Sequence, residues 1–83
     1  PNPFNAGTRI EYRVAVEDHI KIVIFDLLGR KVQTLINKIQ SPGTYSVTWN
    51  GTDHNHRSLP SGIYFYRIKS DNFADLKKMV LIK

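Results

Sequence analysis

Four consecutive residues, Asp53-His54-Asn55-His56, bring a carboxylate, an amide and two imidazoles into one short stretch. In an extended segment His54 and His56 fall on the same side, and with Asp53 they could offer three ligands to a zinc-like ion. No further histidine or cysteine lies close in sequence to complete the set, and His19 is distant. Asn50, Asp53 and Asn55 could supply hard oxygens to calcium, but calcium takes six or more oxygens and the stretch has too few carboxylates. Ser58 and Ser61 follow the histidines without the glycine frame of a nucleophile elbow and without an acid to orient His54. Asp26, Asp53, Asp71 and Asp75 could be paired for glycoside cleavage, yet nothing in the sequence brings two of them together. The expectation is therefore turn chemistry: no catalytic residue, no metal ligand and no cofactor.

The chain around this stretch has 83 residues, a formal charge of +5 and no cysteine. That length suits one domain with a modest core, and disulfides or thiolate metal sites cannot reinforce it. The longest apolar runs, 79–82 among them, are strand-sized, far below the roughly 20 residues that span a bilayer as a helix. No secretory leader is visible, and an opening on Pro1-Asn2-Pro3 reads as a piece of a longer protein. The cations are spread along the chain, with Lys77, Lys78 and Lys83 the nearest approach to a cluster. Without a basic face and a reading element beside it, nucleic-acid binding is not expected.

The elements that must position these residues read as strands throughout. Residues 8–15 alternate, with Ile10, Tyr12 and Val14 on one face. Residues 19–26 place Ile20, Ile22 and Ile24 together, and Gly29 marks a tight turn into a third strand over 30–37. The adjacent Leu35 and Ile36 predict a bulge there. After the turn signal Ser41-Pro42-Gly43, residues 44–50 put Tyr45, Val47 and Trp49 inward, and 63–69 and 76–82 complete the set. Six or seven short strands with turns about every ten residues predict an all-β, Ig-like antiparallel β-sandwich.

The other parity of these strands is less polar than simple alternation requires. Val23, Phe25, Ile63, Phe65, Val80 and Ile82 are apolar where solvent-facing residues are expected. A covering loop or N-terminal segment accounts for this most simply; a contact patch for a parent domain or receptor is the sharper reading. Phe25 and Phe65 alone are outward aromatics, a thin basis for a carbohydrate-binding face.

The stretches "PNPFNAGTRIEYRV", "VIFDLLGRKVQTL", "PGTYSVTWNGTD", "SGIYFYRIKSD" and "KKMVLIK" occur in this order. Together they resemble the C-terminal sorting domain of the type IX (Por) secretion system, over nearly the whole chain. The middle motifs are also similar to the Ig-like domain of flagellar hook-capping proteins. The first resemblance implies a non-catalytic address at the C-terminus of a secreted cargo protein. It implies recognition by the outer-membrane export machinery after passage to the periplasm, removal by a sortase-like protease, and a secreted or cell-surface destination. Carried over by motif, the sorting positions would be Pro1, Asn2, Pro3, Gly29, Gly43, Gly62, Tyr64 and Lys78 with the tail 79–82. Lys83 joins Lys78 as a cation suited to a recognition surface. Where the family usually reads Asp-Gly-x-Asp-x-x-Gly after the tryptophan, this chain has Asn50 for the first aspartate and His56 for the last glycine. Asn and His tolerate the left-handed conformation better than most residues, so the turn should survive.

Overall fold

The computed structural model describes residues 7–83. Six strands follow one another: β1 (Thr8–Val14), β2 (Asp18–Phe25), β3 (Lys31–Gln40), β4 (Gly43–Trp49), β5 (Gly62–Lys69) and β6 (Ala74–Leu81). They form two antiparallel sheets, a β1-β4 pair and a four-stranded sheet in the order β3-β2-β5-β6. The expected all-β sandwich is the fold, with six strands. Two differ from the sequence reading by more than one residue at an end: β3 runs on to Gln40 and β6 starts at Ala74.

The alternation seen in the sequence becomes the packing of the two layers. Ile10 and Val14 from β1 and Trp49 from β4 meet Ile20, Ile22, Ile24, Tyr64, Ile68, Met79 and Leu81 of the larger sheet in one buried cluster. Aromatic pairs hold it at both ends. Trp49 and Tyr64 stack edge-on across the layers at 4.9 Å between ring centres, and Tyr12 lies against its cross-strand partner Tyr45 at 5.5 Å. Pairs of this kind add roughly 0.5–1.5 kcal/mol beyond their burial. The Tyr12 hydroxyl donates to Oε1 of buried Gln40 at 2.7 Å, linking the sheets where β3 leaves one for the other. At the open edge, Thr8 Oγ1 donates to the Val80 carbonyl at 3.2 Å.

Strand β3 carries two irregularities against β2. Ile22 faces Ile36 while Val23 faces Thr34, so Leu35 is the extra residue, in the place the sequence suggested. A second shift leaves Val32 extra between Gln33, opposite Ile24, and Lys31, opposite Phe25. Two bulges let Val32, Leu35 and Ile36 all reach the core, which strict alternation would forbid.

Candidate functional site: the β4–β5 loop and the outer sheet face

The loop from Asn50 to Ser61 is built by one carboxylate. Asp53 Oδ1 accepts the N–H groups of Asn55 at 2.9 Å and Arg57 at 3.0 Å, and Oδ2 accepts Arg57 Nε at 3.1 Å. The backbone closes around it: His56 N–H donates to the Asp53 carbonyl and Asp53 N–H to the Arg57 carbonyl, both at 2.9 Å. The hydrogen bond from Arg57 N–H, with those from Asn55 and the Arg57 guanidinium, holds the Asp53 carboxyl below the usual carboxylate range against the opposing effect of desolvation. Both oxygens are thus engaged by the turn itself. His54 and His56 are exposed, and His54 is fixed through its backbone, whose N–H donates to the Val32 carbonyl at 2.9 Å. The second bulge of β3 is therefore where the loop docks, and Gln33 Nε2 adds a bond to the Asp53 carbonyl at 3.0 Å. Among the described residues, no three His, Asp or Glu side chains gather to hold a metal ion.

The same device occurs earlier in the chain, a repeat the sequence reading missed. Asp26 Oδ1 accepts the N–H groups of Leu28 and Arg30, each at 2.9 Å, and Oδ2 accepts Arg30 Nε at 2.7 Å. Gly29 N–H donates to the Asp26 carbonyl and Asp26 N–H to the Arg30 carbonyl, again both at 2.9 Å. The Arg30 N–H bond leads those that hold Asp26 below the usual carboxylate range. The signal that could have revealed it is an aspartate and an arginine four apart, with a residue suited to positive φ just before the arginine. Gly29 has φ 82° and His56 φ 65°.

A further glycine that sequence reasoning passed over is Gly51. It has φ 80°, and a Cβ there would lie 2.9 Å from Leu81 Cδ2 and 2.9 Å from Lys83 Cε. The end of the chain thus packs directly on the loop. Lys83 Nζ donates to the Gly51 carbonyl at 3.3 Å and to Ser58 Oγ, while its backbone N–H donates to Ser61 Oγ at 3.0 Å. Trp49 Nε1–H caps the Thr52 carbonyl at 2.9 Å, and Thr52 bridges to Ser58. Ser58 and Ser61 therefore serve the C-terminal contact.

The sorting positions implied by the resemblance fall into three groups. Pro1, Asn2 and Pro3 lie outside the described residues. Gly29 sits in its turn; Gly43 and Gly62 open β4 and β5 with φ 159° and 156°, and Tyr64 is core, its hydroxyl donating to the Pro60 carbonyl at 2.7 Å. Burial is the main influence raising the Tyr64 hydroxyl pKa, helped by the Asp26 charge. Lys83 is tethered as above, whereas Lys78 is exposed beside Phe65 with no hydrogen-bond or ion-pair partner among the described residues.

The six apolar outward residues differ in exposure. Ile63, Val80 and Ile82 are exposed, and Phe25 and Phe65 are half-buried. Val23 is on the outer face but only 1% exposed, flanked across the strands by Thr34 and Arg67. The Arg67 guanidinium lies over the Phe25 ring, 5.2 Å from its centre. Leu27, Leu28 and Leu76, absent from the expected patch, add exposed apolar surface near it.

These features define a small two-sheet β-sandwich whose polar residues are engaged chiefly in building turns. The chain matches the family model described as "Secretion system C-terminal sorting domain" over residues 1–83, and it belongs to that family. Its fold is similar to that in the crystal structure of FlgD from P. aeruginosa, at TM-score 0.71 and 19% identity, covering 90% of this chain and 59% of that one. The chain thus spans less than two thirds of that protein's length. No curated protein matches the sequence. Among the described residues, no helix is long and apolar enough to cross a membrane.

Proposed function

We propose that this domain is the non-catalytic C-terminal address of a longer secreted cargo protein. The type IX machinery of the outer membrane reads it from the periplasm, a sortase-like protease removes it, and the cargo is released or left on the cell surface. The observation that carries this reading is the family match over all 83 residues. The engagement of Asp53 by its own turn supports a role without metal chemistry. Recognition is assigned to the Pro1-Asn2-Pro3 opening and to Lys78 with the neighbouring tail, because Gly29, Gly43, Gly62 and Tyr64 have structural work in turns, strand starts and core. The test is a reporter fused ahead of residues 1–83 and followed in a host that carries the type IX apparatus.

A second reading, an Ig-like accessory or structural domain of an extracellular enzyme or flagellar assembly, draws on the likeness to FlgD, which is a likeness of fold. A carbohydrate-binding module is disfavoured by Arg67, which takes up one face of Phe25.

A further inference from the structure

The outer face of the four-stranded sheet carries a charge pattern that the fold does not use. Reading across the strands, one row is Lys31, Phe25, Phe65 and Lys78, the next Thr34, Val23, Arg67 and Leu76, and the next Asn37, Lys21, Lys69 and Ala74. Five of these positions are cationic and none is acidic. The three side-chain ion pairs of the described residues, Arg9–Glu11, Arg30–Asp26 and Arg57–Asp53, involve none of the five. Lys21 and Lys69 stand directly opposite one another, an arrangement that destabilises a sheet. Arg67 Nε is buried without a hydrogen-bond partner among the described residues. A guanidinium N–H in that state carries a desolvation cost that no hydrogen bond among the described residues relieves.

Beside Arg67 the surface opens into a shallow apolar cavity of about 400 Å³, lined by Phe25, Leu27, Gly29, Phe65 and Leu76 with Asp26 at the rim. The Asp26 carboxylate is ion-paired with Arg30, so the two together bring no net charge to the face. Cations with no ion-pair partner among the described residues, on the same face as an apolar hollow, favour a partner with the opposite pattern. We propose that this face docks an acidic segment of a partner protein, which seats an apolar side chain between Phe25, Phe65 and Leu76 and sets carboxylates against Arg67, Lys21, Lys69 and Lys78. A sulfated or phosphorylated polymer would satisfy the charges and leave the hollow empty, so the apolar component favours a protein.

The surface stands whether or not the chain is an export address, and its test needs no export apparatus. Failure of the binding test leaves the sorting proposal intact, and failure of export leaves this surface intact. The probe is the acetylated, amidated peptide Asp-Glu-Phe-Asp-Glu, titrated into the isotope-labelled chain by NMR at low salt. Shifts should centre on Phe25, Phe65, Arg67 and Leu76, and about 0.5 M salt should suppress them. The Asn/Gln counterpart of the peptide, and the version with serine for phenylalanine, should each bind about tenfold more weakly or worse. Lys69→Glu is the decisive variant, because it should raise thermal stability by relieving Lys21 while weakening peptide binding. No saturable shifts, shifts centred elsewhere, equal binding of the neutral peptide, or unchanged binding to Lys69→Glu would each overturn the proposal. So would dextran sulfate binding more tightly than the peptide at equal charge concentration, since that outcome makes the partner a polyanion.

Discussion

His56 stands in the second aspartate-built turn where Gly29 stands in the first, with φ 65° against 82°. Around each, an aspartate three residues earlier accepts the same backbone and guanidinium donors. His56, where the resemblance implies a glycine, is thus a change within a turn whose hydrogen bonding is kept. A side chain in the left-handed region carries a steric cost that glycine does not. His56→Gly should therefore raise stability by about 0.5 kcal/mol, part of the gain being offset by the freer unfolded chain. His56→Val, β-branched, should lower it by about 1 kcal/mol or more. Urea unfolding of the two variants checks the pair, and a loss of stability in His56→Gly would contradict the strain.

Two positive-φ glycines should respond unequally to alanine. At Gly29 an added Cβ would meet nothing within 4 Å, so the cost is conformational, about 1 kcal/mol. At Gly51 the same methyl would press into Leu81 and Lys83 in addition to the backbone cost. Gly51→Ala should therefore cost about 2 kcal/mol or more, since overpacking alone takes roughly 1–3 kcal/mol. It should also loosen the C-terminal residues, read as faster amide exchange at Lys83, while Gly29→Ala leaves them unchanged.

Acid should unfold the domain through its turn carboxylates. Asp26 and Asp53 are held below their ordinary range chiefly by the backbone N–H groups of Arg30 and Arg57. For Asp18, desolvation acts against ionisation, but donors from Asp71, His19, Ser70 and Asn72 outweigh it. A carboxyl whose pKa is depressed by folding contributes stability above its unfolded pKa, near pH 3.9, and loses it as pH falls through the folded value. The melting temperature should hold from neutral pH to about pH 4.5 and fall below about pH 4. The double variant Asp26→Asn, Asp53→Asn should melt lower at pH 7 and show a shallower acid decline, with Asp18 supplying the remainder. A decline as steep as in the unmodified chain would contradict this origin.

Much of the fold was legible because burial follows strand parity. Ile20, Ile22 and Ile24, and Tyr64 with Ile68, point inward as alternation requires, and the Leu35-Ile36 pair announced its bulge. The bulge at Val32 was not legible, since its purpose lies in a loop 22 residues away, where His54 seeks a carbonyl. Nor was the burial of Val23, because parity assigns a side and says nothing of the neighbours that cover it. The isolated charge of Arg67 depends on the absence of acids across three strands, which only the register brings together. The repeated turn was present as Asp26 to Arg30 and Asp53 to Arg57, but hydropathy and composition do not mark it.

If residues 1–83 act as an export address, the destination of a fused reporter shows it. In a host with the type IX apparatus, the reporter carries a standard N-terminal leader and this domain behind it, and periplasmic, surface and medium fractions are quantified. Surface or medium reporter is expected in the intact host, and periplasmic accumulation when the apparatus is deleted. Folded reporter retained in the periplasm of the intact host would contradict it.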